Sequence, residues 1–481
     1  MVLWIGVDDT DSLRGMCTTF LATELVRELT QEYDLIGYPR LVRLNPNIPW
    51  KTRGNGAICL RVGRGLGSRQ VVGNIESKDV VAFARAGGPS DLDRVRDVVA
   101  PIVERWSHFE DETTNPGFAV LRRPPSARLY WKAVRSVVEQ SDALKCAAGL
   151  GRVHGYKDGR GVIGSLAATA WRPRDRTYEI LAYRDVSRWG TPRQIDPESV
   201  IEMDRQFPST FNNFDYESGR PAIVPRSPCP VLYGVRGDSV SDLPRAAAMI
   251  RGERPTRWLL FETNQGTDDH VLPTSTNTPW TAGSFSGNVS SAPRTLLGGH
   301  VVFRMADREV IAYEPSKRFR EVVRALIPGD RVRVVASVRD RPRVLNLEKL
   351  GVIELSDVPH KVANPQCPGC GKHMKSRGRF AGFRCTRCHT VAPVSAAIYS
   401  LVSRTIKPGW YEPPVCSRRH LSKPLRRGPP TLGETDEVVA RRGNTPVASA
   451  SVRRGLRTPK SRAAVVGVGV PSPGIRLTRS R

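Results

Sequence analysis

The sequence lacks long hydrophobic runs and a leader-like N-terminus. No apolar stretch in its 481 residues approaches the ~20 residues that a membrane helix needs. The first residues, MVLWIGVDDTDS, become acidic within eight positions and contain neither a basic region nor a cleavable apolar segment, which excludes a signal peptide. We therefore expect a cytoplasmic protein with no membrane-spanning segment.

Acidic residues are scarce relative to basic ones. The chain has 47 Asp and Glu against 74 Lys and Arg, a net charge of +27. Aromatic residues make up only 7%, yet a hydrophobic content of 39% excludes a wholly disordered chain. A length of 481 residues predicts several domains. The cationic surplus favours a nucleic-acid partner, because neutralised phosphates release counterions. A generally Arg-rich proteome is the alternative explanation.

The basic surplus is densest at the C-terminus. Residues 418–481 contain 15 Lys and Arg and 3 Asp and Glu. Beyond Leu425 the chain is rich in Arg, Pro, Gly and Ser and poor in apolar residues. This composition predicts a disordered basic tail over residues 426–481.

Strand and helix patterns alternate through residue 190. The apolar run over residues 2–7 predicts a buried strand, and helical spacing of apolar residues predicts helices over 18–32, 91–106 and 126–140. A Pro- and Asp-rich stretch at 191–199 then indicates a domain boundary. The alternation predicts an α/β or α+β domain.

Short strands dominate the next part of the chain. Strand patterns flank a predicted helix over 242–252, which suits a small α+β sandwich. Residues 267–295 are rich in Thr, Ser, Asn and Gly and predict a loop. Closely spaced strand patterns between residues 300 and 355 predict a small β-barrel, with the OB-fold as first candidate.

Four cysteines form two CxxC pairs. Cys367 and Cys370 lie in CPGC, and Cys385 and Cys388 lie in CTRC fourteen residues later. This zinc-ribbon spacing predicts one structural Zn²⁺ held by four thiolates. Unligated thiols or a redox CxxC are the alternatives. Basic residues around the pairs favour nucleic-acid contact.

An acidic cluster follows the first predicted strand. Asp8, Asp9 and Asp11 repel one another within the sequence DDTDS, and a Mg²⁺ ion with a phosphate ligand would offset that repulsion. A solvated turn that caps the next helix is the alternative. Gly15 and the hydroxyls of Thr18 and Thr19 at a helix start favour phosphate binding.

Two further segments carry phosphate-binding or RNA-binding residue types. The glycine-rich stretch 149–165 contains Lys157 and Arg160, but it matches no P-loop, and a flexible turn explains it equally well. Near the C-terminus, aromatic residues lie beside cations, which suits base stacking and phosphate contact. These residues are Trp410, Tyr411, Arg418, Arg419, His420 and Lys423. A strap that packs the chain end onto the body is the alternative.

Together these segments resemble the archaeal tRNA(Ile) 2-agmatinylcytidine synthetase (TiaS) family. The matching stretches include WIGVDDTDSLRGMCTT, TTNPG, GRGVIGSLAA, TFNNFD, LLFETNQGTD, CPGCGKHMKSRG and PGWYEPPVCSRRHLSKPL. They occur in order from residue 4 to about residue 425. The resemblance therefore covers nearly the whole chain except the tail.

The resemblance implies a multidomain α+β fold with four parts before the tail. The expected parts are a kinase-like α/β ATP-binding catalytic domain (1–195), a ferredoxin-like domain (196–285), an OB-fold β-barrel (286–358), and a zinc ribbon with a tRNA-binding C-terminal motif (359–425).

The resemblance also implies an ATP-dependent ligase that conjugates agmatine to C2 of the wobble cytidine of an isoleucine tRNA. The CAU anticodon would then read AUA. ATP, Mg²⁺ and Zn²⁺ are the expected cofactors, with tRNA and agmatine as substrates. An ATP-dependent RNA kinase or a non-catalytic OB-fold and zinc-ribbon RNA-binding protein are the alternatives.

Site residues carry over to this sequence position by position. Asp8, Asp9 and Asp11 would hold Mg²⁺ and the ATP phosphates, and Thr18 matches a threonine that is phosphorylated in the family. The remaining expected cofactor-binding residues are Thr10, Ser12, Gly15, Lys157, Arg160 and Gly161. The agmatine candidates come from charge and not from the resemblance. Agmatine is doubly cationic, so its pocket must be locally acidic, and Glu110, Asp111 and Glu112 are candidates, with a solvated turn as the alternative.

Overall fold

The computed structural model describes residues 1–52, 54–341 and 343–430, so residues 431–481 of the predicted tail lie outside the described residues. The first tail residues are described. Arg426 pairs with Asp204 at 3.0 Å, and Arg427 pairs with Asp175 at 3.0 Å. The prediction of disorder is wrong for these two arginines, because carboxylates of the body neutralise them.

Helices are few and short in this mixed α/β structure. They are α1 (Thr18–Leu29), α2 (Leu92–Trp106), α3 (Ala127–Arg135), α4 (Gln140–Ala147), α5 (Gly161–Ala170), α6 (Pro197–Gln206), α7 (Asp242–Ala248) and α8 (Phe319–Arg324). The predicted helices over 18–32 and 91–106 are confirmed as α1 and α2, whereas the predicted helix over 126–140 is only α3, with α4 beginning at its last residue. Over the described residues, no helix combines the length and apolar character that crossing a membrane requires.

One large sheet contains most of the strands in the first part of the chain. The strands up to residue 263 are β1 (Leu3–Asp8), β2 (Asp34–Ile36), β3 (Arg40–Arg43), β4 (Gly56–Ile75), β5 (Lys78–Gly87), β6 (Gly117–Leu121), β7 (Gly151–Gly155), β8 (Thr177–Tyr183), β9 (Thr210–Phe211), β10 (Phe214–Asp215), β11 (Arg220–Pro221), β12 (Val231–Gly237) and β13 (Arg257–Thr263). The order is β7-β6-β1-β4-β3-β13-β8-β12-β9, and β2 and β5 pair beside β4. Strands β10 and β11 pair separately.

Strand β1 separates two layers of apolar packing. Leu3, Ile5 and Val7 contribute to the core that contains residues of α1 and α2, while α5 packs against the strand at Gly6. A Cβ atom at Gly6 would lie 2.1 Å from the carbonyl oxygen of Ser165. This close approach therefore requires glycine, and it brings α5 against the strand that ends at the acidic cluster.

The large sheet crosses the expected boundary between residues 195 and 196. Strand β8 lies before that boundary, yet it pairs with β12 and β13, which both follow it. Strand β13 in turn pairs with β3 and β4. Backbone hydrogen bonds thus join the first two expected domains in one sheet.

A second sheet of eight strands follows. Its strands are β14 (Val271–Leu272), β15 (Thr281–Asn288), β16 (Arg294–Thr295), β17 (Val301–Met305), β18 (Arg308–Ala312), β19 (Arg331–Val338), β20 (Val344–Glu354) and the later β26 defined below. The path runs from β14 to β16 without closing within the described residues, so these strands form an open sheet and not a closed barrel. The two terminal strands have only two residues each, which leaves little edge to pair.

The loop predicted over residues 267–295 is partly wrong. Strand β15 pairs along its eight residues with β19 and buries Ala282 and Phe285. Its sequence, TAGSFSGN, has low strand propensity, and pairing with the Val-rich β19 overrides that propensity. The expected domain boundary between residues 285 and 286 falls within this strand.

The cysteine unit is built from short strands, after which the chain returns to the second sheet. The strands are β21 (Pro359–Ala363), β22 (Lys375–Ser376), β23 (Phe383–Arg384), β24 (Val391–Ala392), β25 (Ile398–Leu401) and β26 (Gly409–Tyr411). Strand β26 pairs with β20 of the second sheet. The segment after the cysteine unit is therefore tied to the body by backbone hydrogen bonds.

Candidate active site and metal centre

The predicted acidic cluster lies where β1 ends. Asp8 is the last residue of the strand and pairs in register with Gly117 of β6. Asp9 adopts a left-handed backbone conformation with φ of 57°, which Asp tolerates better than most residues. This turn lets successive carboxylates face one pocket, whose lining includes Asp8, Asp9 and Asp11.

Two other loops hold the cluster in place. The hydroxyl of Thr52 donates to Oδ1 of Asp9 at 2.9 Å, and the backbone N–H of Asn115 donates to its Oδ2 at 3.1 Å. The hydroxyl of Thr114 donates to the carbonyl oxygen of Asp11 at 2.7 Å. The orientation of the cluster thus depends on segments more than 40 residues away in sequence.

Burial disfavours negative charge in this cluster. Burial, together with repulsion from Asp9, raises the pKa of Asp8 well above its ordinary value. Burial also raises the pKa of Asp9 to about 6, although the bond from Thr52 acts in the opposite direction. Arg160 offsets part of the charge on both carboxylates. The cluster would therefore gain from an additional cation.

The pocket beside the cluster combines apolar and polar walls. Its empty space, including the part open to solvent, is about 690 Å³. Leu44, Ile48, Trp50, Val138 and Ile163 supply apolar surface, and its polar lining includes Lys51, Thr52 and Arg160. An apolar chamber that ends at carboxylates and a guanidinium group suits a nucleotide with its base in the chamber and its phosphates at the acidic end.

Helix α5 packs directly on the acidic cluster. A Cβ atom at Gly164 would lie 1.7 Å from Oδ2 of Asp8, so only glycine fits between the helix and this carboxylate. The N–H of Gly161 donates to the carbonyl oxygen of Asn115 at 2.9 Å. Two of the predicted phosphate-binding residues thus have different positions and roles. Arg160 lines the pocket, whereas the Gly161 amide holds the loop that positions Asp9.

Lys157 is hydrogen-bonded to the loop 109–113 beside the site. The ammonium group of Lys157 donates to the carbonyl oxygen of Asp111 at 2.7 Å, and Lys157 does not line the pocket. The Asp111 carboxylate accepts from the hydroxyl of Ser12 at 2.5 Å and from Thr113, and these bonds lower the pKa of Asp111. Ser12 and Asp111 thus fasten two loops together, and neither lines the pocket.

The residues between the cluster and α1 are arranged by internal hydrogen bonds. Gly15 and Ser12 close a turn, with the Ser12 N–H donating to the Gly15 carbonyl oxygen at 3.1 Å. The hydroxyl of buried Thr10 donates to the Thr18 hydroxyl at 3.1 Å. Thr18 is the first residue of α1 and does not line the first pocket.

Thr18 instead lines a second, larger pocket. The empty space of this pocket, including the part open to solvent, is about 1620 Å³. Its lining shares Asp11, Asn55 and Gly56 with the first pocket. Its lining also includes Cys17 and, from the large sheet, Arg43, Glu179 and Arg236, with Arg236 2.8 Å from Glu179. The two pockets therefore meet at Asp11, and Thr18 lies in the wall of the second.

Most of the predicted RNA-binding residues are engaged within the protein. Arg418 pairs with Glu412 at 2.9 Å and donates to Asn212 at 2.9 Å, and Arg419 lies 3.3 Å from Glu348. Arg418, Arg419 and His420 nevertheless line the second pocket. Repulsion from Arg43, with burial, lowers the pKa of His420 well below its ordinary value.

The other three predicted RNA-binding residues attach the C-terminal segment to the body of the protein. Trp410 and Tyr411 belong to β26, and a Cβ atom at Gly351 of β20 would lie 3.1 Å from the Trp410 ring. The N–H of Lys423 donates to Asp268 at 2.7 Å. This arrangement favours the strap alternative for these residues over a freely exposed RNA-binding surface.

The four predicted zinc ligands converge. The Sγ atoms of Cys367, Cys370, Cys385 and Cys388 lie within 4.8 Å of one another. Individual separations are 3.2 Å for Cys367 and Cys388, 3.4 Å for Cys370 and Cys385, and 3.7 Å for Cys370 and Cys388. A tetrahedral site with Zn–S bonds of about 2.3 Å has edges of ~3.8 Å. The donor set fits Zn²⁺.

Sequence reasoning missed the residues that arrive from other loops. Thr52, Asn55 and Lys51 lie in a Pro-, Gly- and Asn-rich segment after β3 to which no role was assigned. Asn115 lies in TTNPG, which was noted only as one of the stretches that carry the family resemblance. Polar loops at strand ends are frequent sites of function. This general signal could have marked the segment after β3, but it does not show which of its residues contact the acidic cluster.

Three family models match the chain. The model described as TiaS TCKD domain matches residues 4–157, and the TiaS FLD domain matches residues 159–270. The TiaS C-terminal zinc ribbon domain matches residues 364–406, which contain the four-cysteine site.

Relatives and solved structures agree with these matches. The chain is 37% identical over 441 residues to the isoleucine-tRNA 2-agmatinylcytidine synthetase TiaS of Methanocaldococcus jannaschii, covering 89% of this chain and 99% of that protein. It is 40% identical to the Methanosarcina mazei enzyme of the same name, covering 88% and 97%. A complex of TiaS with its isoleucine tRNA and ATP superposes with a TM-score of 0.75 at 36% identity, covering 90% and 99%. A complex of TiaS with the same tRNA, AMPCPP and agmatine gives 0.73 at 34% identity, with the same coverage.

Proposed function

Because the chain belongs to the tRNA(Ile) 2-agmatinylcytidine synthetase family, we propose that it conjugates agmatine to C2 of the wobble cytidine of an isoleucine tRNA at the expense of ATP. The product would let the CAU anticodon read AUA. The observation that carries the assignment to this site is the junction of the two pockets at Asp11, because a phosphoryl donor in one pocket can then reach an acceptor in the other.

The reaction needs the C2 oxygen of cytosine to become a leaving group. That oxygen attacks a phosphorus atom of ATP, and the bond from this phosphorus to the rest of the nucleotide breaks, so the remaining nucleotide departs. The primary amine of agmatine then attacks C2, loses a proton, and displaces the oxygen as inorganic phosphate. The protein must therefore position a nucleotide, a base and an amine, and shield the activated base from water.

The first pocket is our proposed ATP site. Its apolar chamber would accept adenine, and Arg160 would contact the phosphates. Asp8, Asp9 and Asp11 supply the oxygen ligands that Mg²⁺ prefers. Burial raises the pKa values of Asp8 and Asp9, so a bound cation would favour the ionised forms of both carboxylates. Bound Mg²⁺ would neutralise charge that develops on the transferred phosphoryl group.

The second pocket is our proposed site for the wobble cytidine and agmatine. A single-stranded anticodon base can leave its stack at modest cost and enter a pocket of this size. Arg418 and Arg419 in its wall would contact the RNA backbone, and neutral His420 would hydrogen-bond to the base. Asp11 and Glu179 supply negative charge toward the doubly cationic agmatine.

Thr18 is our proposed site of protein phosphorylation. Its hydroxyl lines the second pocket near the pocket junction but is almost fully buried and bonded to Thr10. Phosphate transfer to this hydroxyl would require the Thr10 bond to break. The family resemblance and the location beside Asp11 support this assignment.

We also propose the finer fold assignments. The expected parts are kinase-like, ferredoxin-like, OB-fold and zinc-ribbon domains, followed by the return segment. The matches to residues 4–157, 159–270 and 364–406 support the first, second and fourth. The open second sheet supports the third, because the OB-fold is a partly open barrel. Zn²⁺ in the cysteine site would act as a structural cross-link.

Labelled agmatine, ATP and total archaeal tRNA test the proposal directly. Wild-type protein should place agmatine in tRNA, Asp11→Asn should not, and the matched control Asp93→Asn, a partly exposed carboxylate on α2, should behave as wild type. Transfer of phosphate to RNA without agmatine would identify an RNA kinase instead. Binding of tRNA with neither product would identify a non-catalytic RNA-binding protein.

A further inference from the structure

A cluster of arginines and tryptophans lies outside both pockets. Its two centres are Trp4 of β1 and Trp131 of α3, which are partly buried. The guanidinium groups of Arg61 and Arg172 lie 5.4 and 5.1 Å from the Trp4 ring. Arg135 and Arg174 lie against the Trp131 ring in the same way. We define the arginine–tryptophan face as Trp4, Trp131, Arg61, Arg135, Arg172 and Arg174.

The second centre has the same construction. The guanidinium groups of Arg135 and Arg174 lie 4.4 and 4.7 Å from the Trp131 ring, within the ~6 Å over which cations and aromatic faces attract. A continuous path of ring and cation contacts joins the two centres. Its members are Trp131, Tyr130, Trp171, Arg40 and Trp4, with successive separations of 5.1, 6.3, 5.3 and 5.7 Å.

The face carries more positive charge than the protein neutralises. Across the described residues, Arg61, Arg172 and Arg174 form no ion pair with a carboxylate, and Arg172 and Arg174 are exposed. The neighbouring Glu262 is already shared by Arg40 and Arg176. Burial and repulsion from Arg40 lower the pKa values of Arg61 and Arg172. Unneutralised guanidinium groups held this close together favour an anionic ligand.

The tryptophans explain how the arginines are held. Stacking on a ring fixes the plane of a guanidinium group and leaves its N–H edge free to meet a phosphate. Arg172 is held further by its bonds to the carbonyl oxygens of Thr169 and Trp171 at the end of α5. An arginine that is held in place, exposed and not neutralised by a carboxylate loses little side-chain entropy when it binds a phosphate.

We propose that the arginine–tryptophan face binds the phosphate backbone of the tRNA substrate, as a contact surface separate from both pockets. This inference rests on the proposed function for the identity of the RNA. The strongly basic C-terminal segment cannot be the occupant, because residues 418–481 contain 15 Lys and Arg and 3 Asp and Glu. An acidic protein is the alternative occupant that the test must separate.

The test compares two double variants that remove equal charge. Arg172→Gln with Arg174→Gln removes unneutralised arginines. Arg96→Gln with Arg251→Gln removes arginines that carboxylates already neutralise. Binding of the isoleucine tRNA is measured between about 50 and 200 mM salt. We expect the first variant to bind several-fold more weakly and to lower the slope of log K against log salt by about 2, and the control to match wild type.

Additional measurements separate this inference from its alternatives. Agmatine transfer at saturating tRNA should be unchanged, since the face does not touch the pockets. If loss of the Arg172 bonds lowers the melting temperature, Arg174→Gln alone should still reduce the slope by about 1. Equal tRNA affinity and slope in the first variant and the control would overturn the inference and favour an acidic protein partner. Failure of wild-type agmatine transfer would instead overturn the proposed function.

Discussion

Replacing Gly164 with alanine should displace the carboxylate of Asp8, a proposed Mg²⁺ ligand, without unfolding the protein. The added Cβ atom would lie 1.7 Å from Oδ2 and 2.5 Å from Cγ of Asp8. Ordinary contact is ~3.5 Å, so either the carboxylate or α5 must move by more than about 1 Å. The clash falls on a side chain rather than on backbone, and the Asp8 carboxylate therefore yields first.

The energetic terms have opposite signs. Alanine stabilises a helix interior by about 1 kcal/mol relative to glycine, whereas overpacking a buried site costs about 1–3 kcal/mol. The free energy of unfolding should therefore fall by at most about 2 kcal/mol. Misplacing a reacting group by about 1 Å costs on the order of 10²-fold in rate. Gly164→Ala should thus lose activity far more than stability.

Initial rates of ATP consumption and agmatine transfer, measured with the melting temperature, check this prediction. Asp93→Asn, the partly exposed carboxylate on α2 that lies outside both pockets, is the control. The control should retain near-normal rates. A Gly164→Ala protein that melts normally and transfers agmatine within a few-fold of wild type would refute the assignment of Asp8 to the active site.

Three further predictions concern the metal site, pH and phosphorylation. Cys385→Ser should reduce zinc below one ion per chain by metal analysis, and weaken tRNA binding more than ATP turnover; unchanged zinc content would contradict the four-thiolate site. The folded-state pKa of Asp9 is raised to about 6, so its ionisation opposes folding. Metal-free wild type should therefore lose stability relative to Asp9→Asn as the pH rises from about 4 through about 6. The melting temperatures of wild type and Asp9→Asn, measured in chelator at pH about 4 and about 6, check this prediction. If the two proteins differ by the same amount at both pH values, the prediction is wrong. Thr18→Ala should abolish protein-bound phosphate in labelled-ATP assays, whereas Thr18→Ser should retain it.

The parts of the site that could be predicted are those encoded locally. The four cysteines signal zinc through spacing alone, and Asp8, Asp9 and Asp11 are noticeable because they directly follow a buried strand. The partners of the cluster were not predictable, because Thr52 and Asn115 reach Asp9 only through the folding of distant loops.

The internal partners of the basic residues were harder to predict from the sequence than the four-cysteine site. Arg418 and Arg419 attracted an RNA-binding interpretation as a basic pair beside aromatic residues. Glu412, one partner of Arg418, lies in the same motif, whereas Asn212 and Glu348 come from distant parts of the chain, so the sequence near the pair did not reveal these two contacts. Lys157 was assigned to phosphate for the same reason, although it donates to carbonyl oxygens of a neighbouring loop.

Intrinsic strand propensity gave the wrong prediction for β15, because pairing with a distant strand determined its structure. The residues of β15 are mainly Gly, Ser, Thr and Ala and predict a loop, but a full-length partner strand makes them a strand. Strand β1 was placed correctly, because burial on both faces leaves an unbroken apolar pattern.

The position of β13 affects how the chain can be divided for experiments. This strand inserts between β8 on one side and β3 and β4 on the other. A fragment that ended near residue 158 would leave the backbone N–H and C=O groups of β3 without this partner, as an exposed edge prone to intermolecular pairing. Residues 1–270 should therefore unfold as one cooperative block, and hydrogen exchange should protect β3, β8 and β13 to the same extent.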